Sequence, residues 1–207
     1  FNNKLSKEDL SSLRSVIGIL KQFKGFKSFE DVDVLISKLE IKATKNTYDT
    51  IIFDTIDNLT GLEYIDIIAT AIKSKKVLKI SYQAFSESSP VNYSIHPYQL
   101  REYNNRWFIL AHTEEFSDRS LGIYALDRII EEPALLTNKF IAVFNKDTAS
   151  YFKDIIGVTN YLENPVHTIK FEVFGKRAEY VITKPWHTSQ MLISENETSK
   201  IFQILVK

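Results

Sequence analysis

The stretch YNNRWFIL, residues 103–110, sets how the middle of the chain is read. Asn104 and Asn105 are turn residues, because short amide side chains tolerate the backbone of a tight turn. Trp107, Phe108, Ile109 and Leu110 then run together, the pattern of a strand buried on both faces. An arginine, Arg106, stands at the mouth of that strand.

Strands extend to both sides. In VLKISYQAF (77–85), Leu78, Ile80, Tyr82 and Ala84 alternate with Lys79, Ser81 and Gln83, the period of a half-buried strand. SSP (88–90) makes a turn, and VNYSIHPYQL, RWFILAHT and LGIYALDRII follow as further strands. Pro97 lacks a backbone donor and requires an edge or a bulge where it stands. Several short strands in close succession point to a small β-barrel.

The flanks differ. In SKEDLSSLRSVIGILKQFKG, Ser6 and Asp9 cap a helix whose Leu10, Leu13, Val16, Ile17, Leu20 and Phe23 share one face, with Gly25 as the stop. A second helix fits SFEDVDVLISKLE (28–40). A third begins near Thr60 and turns Ile65, Ile68, Ala71 and Ile72 inward. Beyond residue 145, DTASYFKDIIG reads as a short helix ended by Gly157. HTIKFEVF, EYVIT, QMLIS and KIFQILVK read as strands. The expected class is α+β: a helical region at 1–66, a barrel at 67–135 and a mixed extension at 136–207. Further sequence is expected before Phe1, which is not a methionine, and after Lys207, where the last strand runs out without a turn.

Bulk properties narrow the function. A hydrophobic content of 44% supports a real core rather than a disordered chain. Charge balances, 26 basic against 26 acidic residues, so no polyanion partner follows from the whole. With no cysteine there is no disulfide, zinc–thiolate site or thiol nucleophile. No apolar run approaches the ~20 residues of a membrane helix, and no signal peptide is visible. A cytoplasmic protein without membrane contact is expected. Neither a metal-binding histidine motif, a nucleophile elbow nor a phosphate loop occurs, so no cofactor, metal or catalytic residue is expected.

Arginine placement is the informative feature. Six arginines stand against twenty lysines, and four of the six, Arg101, Arg106, Arg119 and Arg128, fall between residues 101 and 128. Arginine forms bidentate bonds to phosphate and stacks on rings, whereas lysine is a point charge. Tyr103, Trp107 and Tyr124 share the stretch, with His96 and Tyr98 just before it. This interleaving suits an anionic, base-bearing ligand such as a nucleotide or a single strand. The competing reading makes Trp107 and Tyr124 core residues and has Asp127 and Arg128 each hold a structural ion pair. The 67–135 region is itself neutral, eight basic against eight acidic residues, so any basic site is a local patch. The sharpest expectation is a pocket lined by Tyr82, His96, Arg101, Arg119, Tyr124 and Arg128. On a strand, Tyr124, Leu126 and Arg128 share a face, which sets Arg128 beside Tyr124.

LKISYQAF (78–85), HPYQLREYNNRWFIL (96–110) and YALDRI (124–129) together resemble the WYL-domain proteins, most closely the transcriptional regulators of Bacteroides-type bacteria. YFKDIIGVT (151–159) and YVITKPWHTSQ (180–190) resemble the family's C-terminal extension, and LSKEDLSSLRSVIGILKQFKGF the helices before the barrel. The family's Trp-Tyr-Leu falls on Trp107, Phe108 and Ile109; two of the three differ, and Phe108 lacks a hydroxyl. The resemblance implies an SH3/Sm-like barrel that senses a nucleotide or single-stranded nucleic acid, a homodimer, and a winged helix-turn-helix for duplex DNA. That DNA-reading domain is not recognisable here: residues 1–66 hold nine basic and eleven acidic residues and no basic recognition helix. The expected function is therefore the effector-sensing, dimerising part of a transcriptional regulator. A protein-interaction module with structural arginines and an RNA-binding Sm-like module are the alternatives, and an enzyme comes last.

Overall fold

A computed structural model describes residues 59–113, 115, 121–142 and 148–207. The two helices expected before residue 59 lie outside the described residues. Beyond them comes a 3-10 turn at Leu62–Tyr64 and helix α1 at Ile65–Ser74, which buries Ile65, Ile68 and Ala71 as the helical spacing requires. Thr60 does not cap α1; Tyr64 stands at its N-cap and makes no side-chain cap bond. Gly61 sits at φ 85°, and a Cβ there would come within 2.5 Å of the Leu126 backbone. Only glycine lets these two segments approach so closely.

Five strands follow: β1 (Val77–Tyr82), β2 (Val91–Tyr103), β3 (Arg106–Thr113), β4 (Gly122–Ala125) and β5 (Ala134–Leu136). They form one antiparallel sheet in the order β4-β3-β2-β1-β5. Asn104 and Asn105 both take positive φ, 50° and 59°, between the paired residues Tyr103 and Arg106. That is a two-residue type I′ connection, whose twist matches the strands it joins. Glu102 Oε1 accepts the Asn105 N–H at 2.6 Å and fixes the turn. Pro97 resolves as a bulge rather than an edge: β2 lies between β1 and β3, and the register shifts between Pro97 and Gln99.

Two expectations are corrected here. LGIYALDRII is not one strand. The chain leaves the ladder after Ala125, turns through a 3-10 turn at Leu126–Arg128, and rejoins β1 only at the Tyr82–Ile129 bridge. The sheet also stays open among the described residues, because short β4 pairs with β3 alone while β5 pairs with β1. β5 itself had no distinct sequence signal.

The sheet is covered on both faces. Ile80, Ile95, Ile109, Ala111 and Tyr124 pack with α1 on one side. Leu110 and Tyr98 pack on the other against Leu121, just before β4, and against Tyr151, Phe152 and Ile155, which lie on and after the short helix α2 (Thr148–Tyr151). Thus α2 ends well before Gly157.

The remainder is a second sheet, β6 (His167–Phe174), β8 (Ser199–Val206) and β7 (Met191–Glu195) in that order. Between β6 and β7 runs helix α3 (Arg177–Thr183), not the strand expected from EYVIT. Ala178 and Val181, three residues apart, are buried against Phe202, Phe171 and Val173, while Tyr180 points out. Covering the sheet overrides the β-branched propensity of Val181 and Ile182. β8 is the central strand, hydrogen-bonded on both sides, so the final strand is not left unpaired.

Candidate functional site

The expected pocket residues divide among separate places. Tyr82 and Tyr124 face the α1 side, 8% and 5% exposed. With the half-buried Tyr93 they form a ring cluster, centroids 5.3 Å apart for Tyr82–Tyr124 and 5.9 Å for Tyr93–Tyr124. The Ala125 N–H donates to the Tyr82 hydroxyl at 3.3 Å. Burial raises the Tyr124 phenol well above the usual tyrosine value, against the opposing bond with Thr113. Tyr82 and Tyr124 are packed core rather than platforms for a base.

His96 is 1% exposed and lies on the opposite side, its ring against His112 and Phe140. Its Nδ1 accepts the Ile141 N–H at 3.0 Å, so that nitrogen carries no proton and the ring holds the 140–141 segment in place. Nearby, Tyr98 donates to the Ile141 carbonyl at 2.9 Å. His96 is a structural histidine here.

Arg101 lies on the same side as His96. Its guanidinium carbon sits 3.8 Å from the centre of the Phe152 ring, and partial burial lowers its pKa against the opposing influence of Tyr103 and Glu102. Arg119 lies outside the described residues. Arg106 forms an ion pair with Asp127 at 2.9 Å, beside a cavity of about 220 Å3 lined by Leu62, Trp107 and Asn105. Asp127 therefore holds a structural ion pair, as the competing reading has it, with Arg106 as its partner.

Arg128 is not beside Tyr124 on a strand, because the 3-10 turn rotates it away. It lies at the end of β1, where its carbonyl accepts the Gln83 N–H at 3.0 Å. Its guanidinium carbon stands 3.9 Å over the ring of Phe85, which is 77% exposed. Its Nε is buried without a hydrogen-bond partner among the described residues. A buried, unsatisfied charged donor is rare and marks a place where an acceptor fits. An exposed ring next to a guanidinium offers one flat face for stacking and one fork for an anion. Phe85 was missed in the sequence; an aromatic just past a strand, before a Ser-rich turn, was the available signal.

A larger cavity, about 410 Å3, opens between β4 and residues 151–164. Among the described residues lining it, Glu163 is the only charged one, and it does not suit an anion.

Among the described residues no group of three metal-ligating side chains occurs, and no helix is long and apolar enough to cross a membrane. The WYL domain family matches residues 63–132, from the turn before α1 to the end of the 3-10 segment and its exit. No curated protein matches. Among solved structures the chain is similar to proteasome accessory factor B/C (PafBC) of Arthrobacter aurescens, at 14% identity and a TM-score of 0.39. The match covers 70% of this chain, which spans about a fifth, 21%, of that one.

Proposed function

On the premise that residues 63–132 are a WYL domain, a domain of regulatory proteins, we propose that this chain is the effector-sensing part of a transcriptional regulator. The region at 67–135 is the sensor, an SH3/Sm-like unit built on the five-stranded sheet with α1 on one face. Residues 1–66 lead into it and 136–207 extend it. The effector is an anionic, base-bearing molecule, a nucleotide or a short single strand. Duplex DNA is read by a domain other than the one described, the protein works as a homodimer in the cytoplasm, and it is not an enzyme.

The observation that carries this is the Arg128–Phe85 couple. A guanidinium with an unfilled Nε donor lies on a ring that is otherwise open to solvent. A phosphate fills the donor and a base stacks on the ring. Arg101 and Arg119 are proposed as secondary cations for the ligand. Tyr82, Tyr124 and His96 support the site from the core rather than touching ligand.

The test is fluorescence anisotropy with labelled short single strands, duplex DNA, RNA and nucleotides. Phe85→Ala should remove stacking, about 1–3 kcal/mol per base. Arg128→Ala should weaken single-strand binding and make the salt slope shallower by about 0.7, one phosphate's share. Its Tm should hardly move, because an exposed cation–π contact is worth about 0.5–1 kcal/mol. Unchanged binding with a much lower Tm would make Arg128 structural.

The protein-interaction reading has one observation in its favour. Arg101 packs on Phe152 and Arg106 pairs with Asp127, so at least two of the clustered arginines serve the fold.

A further inference from the structure

The outer edge of β6 has no strand beside it among the described residues, since its sheet reads β6-β8-β7. The strand is eight residues long, and its exposed apolar groups include Ile169 (45%) and Phe174 (64%). Gly175 N–H donates to Thr198 O at 2.8 Å, directly continuing the Phe174–Ser199 register. Residues 169, 171, 173 and 175 therefore point their backbone groups at β8. Thr168, Lys170, Glu172 and Phe174 present theirs outward, because antiparallel ladders alternate.

We propose that this edge binds the same edge of a second copy, antiparallel and centred on Phe171, making one continuous six-stranded sheet. In that two-fold register Lys170 of each copy stands directly opposite Glu172 of the other. Ile169 stands opposite Val173, and Thr168 opposite Phe174. The outward backbone groups pair with each other, both charges find opposite partners twice, and the apolar stripe on the α3 side runs unbroken across the seam. A lone lysine on an edge discourages pairing; here Glu172, two residues on, supplies the counter-charge. Glu172 already accepts a bond from Ser199 Oγ, which holds its carboxylate on this side of the sheet. The inference deepens the dimer named above and rests on that reading; ligand binding at Arg128 is independent of it.

Sedimentation at tens of micromolar tests it on the full chain. Wild type should be dimeric. Lys170→Glu and Glu172→Lys should each raise the dimer dissociation constant roughly tenfold or more, because like charges then face each other twice. Mixing the two variants should restore association, since each supplies the charge the other lacks, and the double swap in one chain should restore it too. The chain has no cysteine, so a spin label on Thr168→Cys reads the register without either charge change. Six residue steps separate the two labelled positions across the seam, a backbone distance of about 20 Å. A monomeric wild type overturns both the seam and the dimer. A dimer indifferent to the swaps, or with labels far from that distance, overturns the seam alone.

Discussion

Tyr124 shows what burial does to a residue chosen for its chemistry. Its phenol is nearly out of water, and desolvation raises its pKa above the ordinary value; Tyr151 and Tyr93 shift the same way for the same first reason. The unfolded chain releases these protons near pH 10, while the native chain still holds them. The contribution is therefore complete below about pH 10 and is lost as pH rises beyond it. Tm should fall with rising pH from about pH 10 upward. Tyr124→Phe keeps the ring and removes the ionisable hydroxyl, so its fall should be smaller; an equally steep fall would mean Tyr124 is not the source. The sequence named Tyr82, His96 and Tyr124 as chemically able, which they are. Alternation along a strand says which residues share a side but not which side is covered. Here helix α1 covers one side and α2 with its following turns the other, so all three became packing.

The Asn104–Asn105 connection is the element most fully legible in the sequence, because two left-handed residues in a row suit few side chains. Asn105→Gly should leave stability unchanged or slightly higher, since glycine takes this φ without strain and the backbone N–H to Glu102 is retained. Asn105→Val should cost roughly 1–3 kcal/mol, as a β-branched side chain resists positive φ. Urea unfolding distinguishes the two; a harmless valine would argue against a type I′ turn. The opposite case is EYVIT. Five residues with three β-branched members look like a strand locally, yet Ala178 and Val181 must reach Phe202 from above the sheet, and only a helix puts both on one side. The same limit applies to LGIYALDRII: nothing in its alternation announces the 3-10 turn that carries Arg128 from the tyrosines to Phe85.

At the scale of the molecule, the two sheets meet through residues after α2. Phe152 packs with Leu110 of β3 and carries Arg101 on its ring, while Asp154 O accepts the Lys207 N–H at the end of β8 and Lys153 O bonds the His187 ring. Phe152→Ala should cost about 3–5 kcal/mol by emptying a filled core position. It should also leave Arg101 more hydrated, so single-strand binding is expected to survive in the folded fraction. A loss below 1 kcal/mol in denaturant titrations would show the sheets to be energetically separate. The sequence by itself determined the strands at 77–82, 106–113 and 167–174, the inward face of α1, the Asn-Asn turn and the need for a break at Pro97. Each of these follows from backbone sterics or from a period in hydrophobicity, and both are local. Only the tertiary structure decided that the sheet stays open, that EYVIT is a helix, that β8 is central, and that Arg128 meets Phe85 instead of Tyr124. Those outcomes depend on which surface comes to cover which, a balance struck between segments far apart in the chain that no local period records.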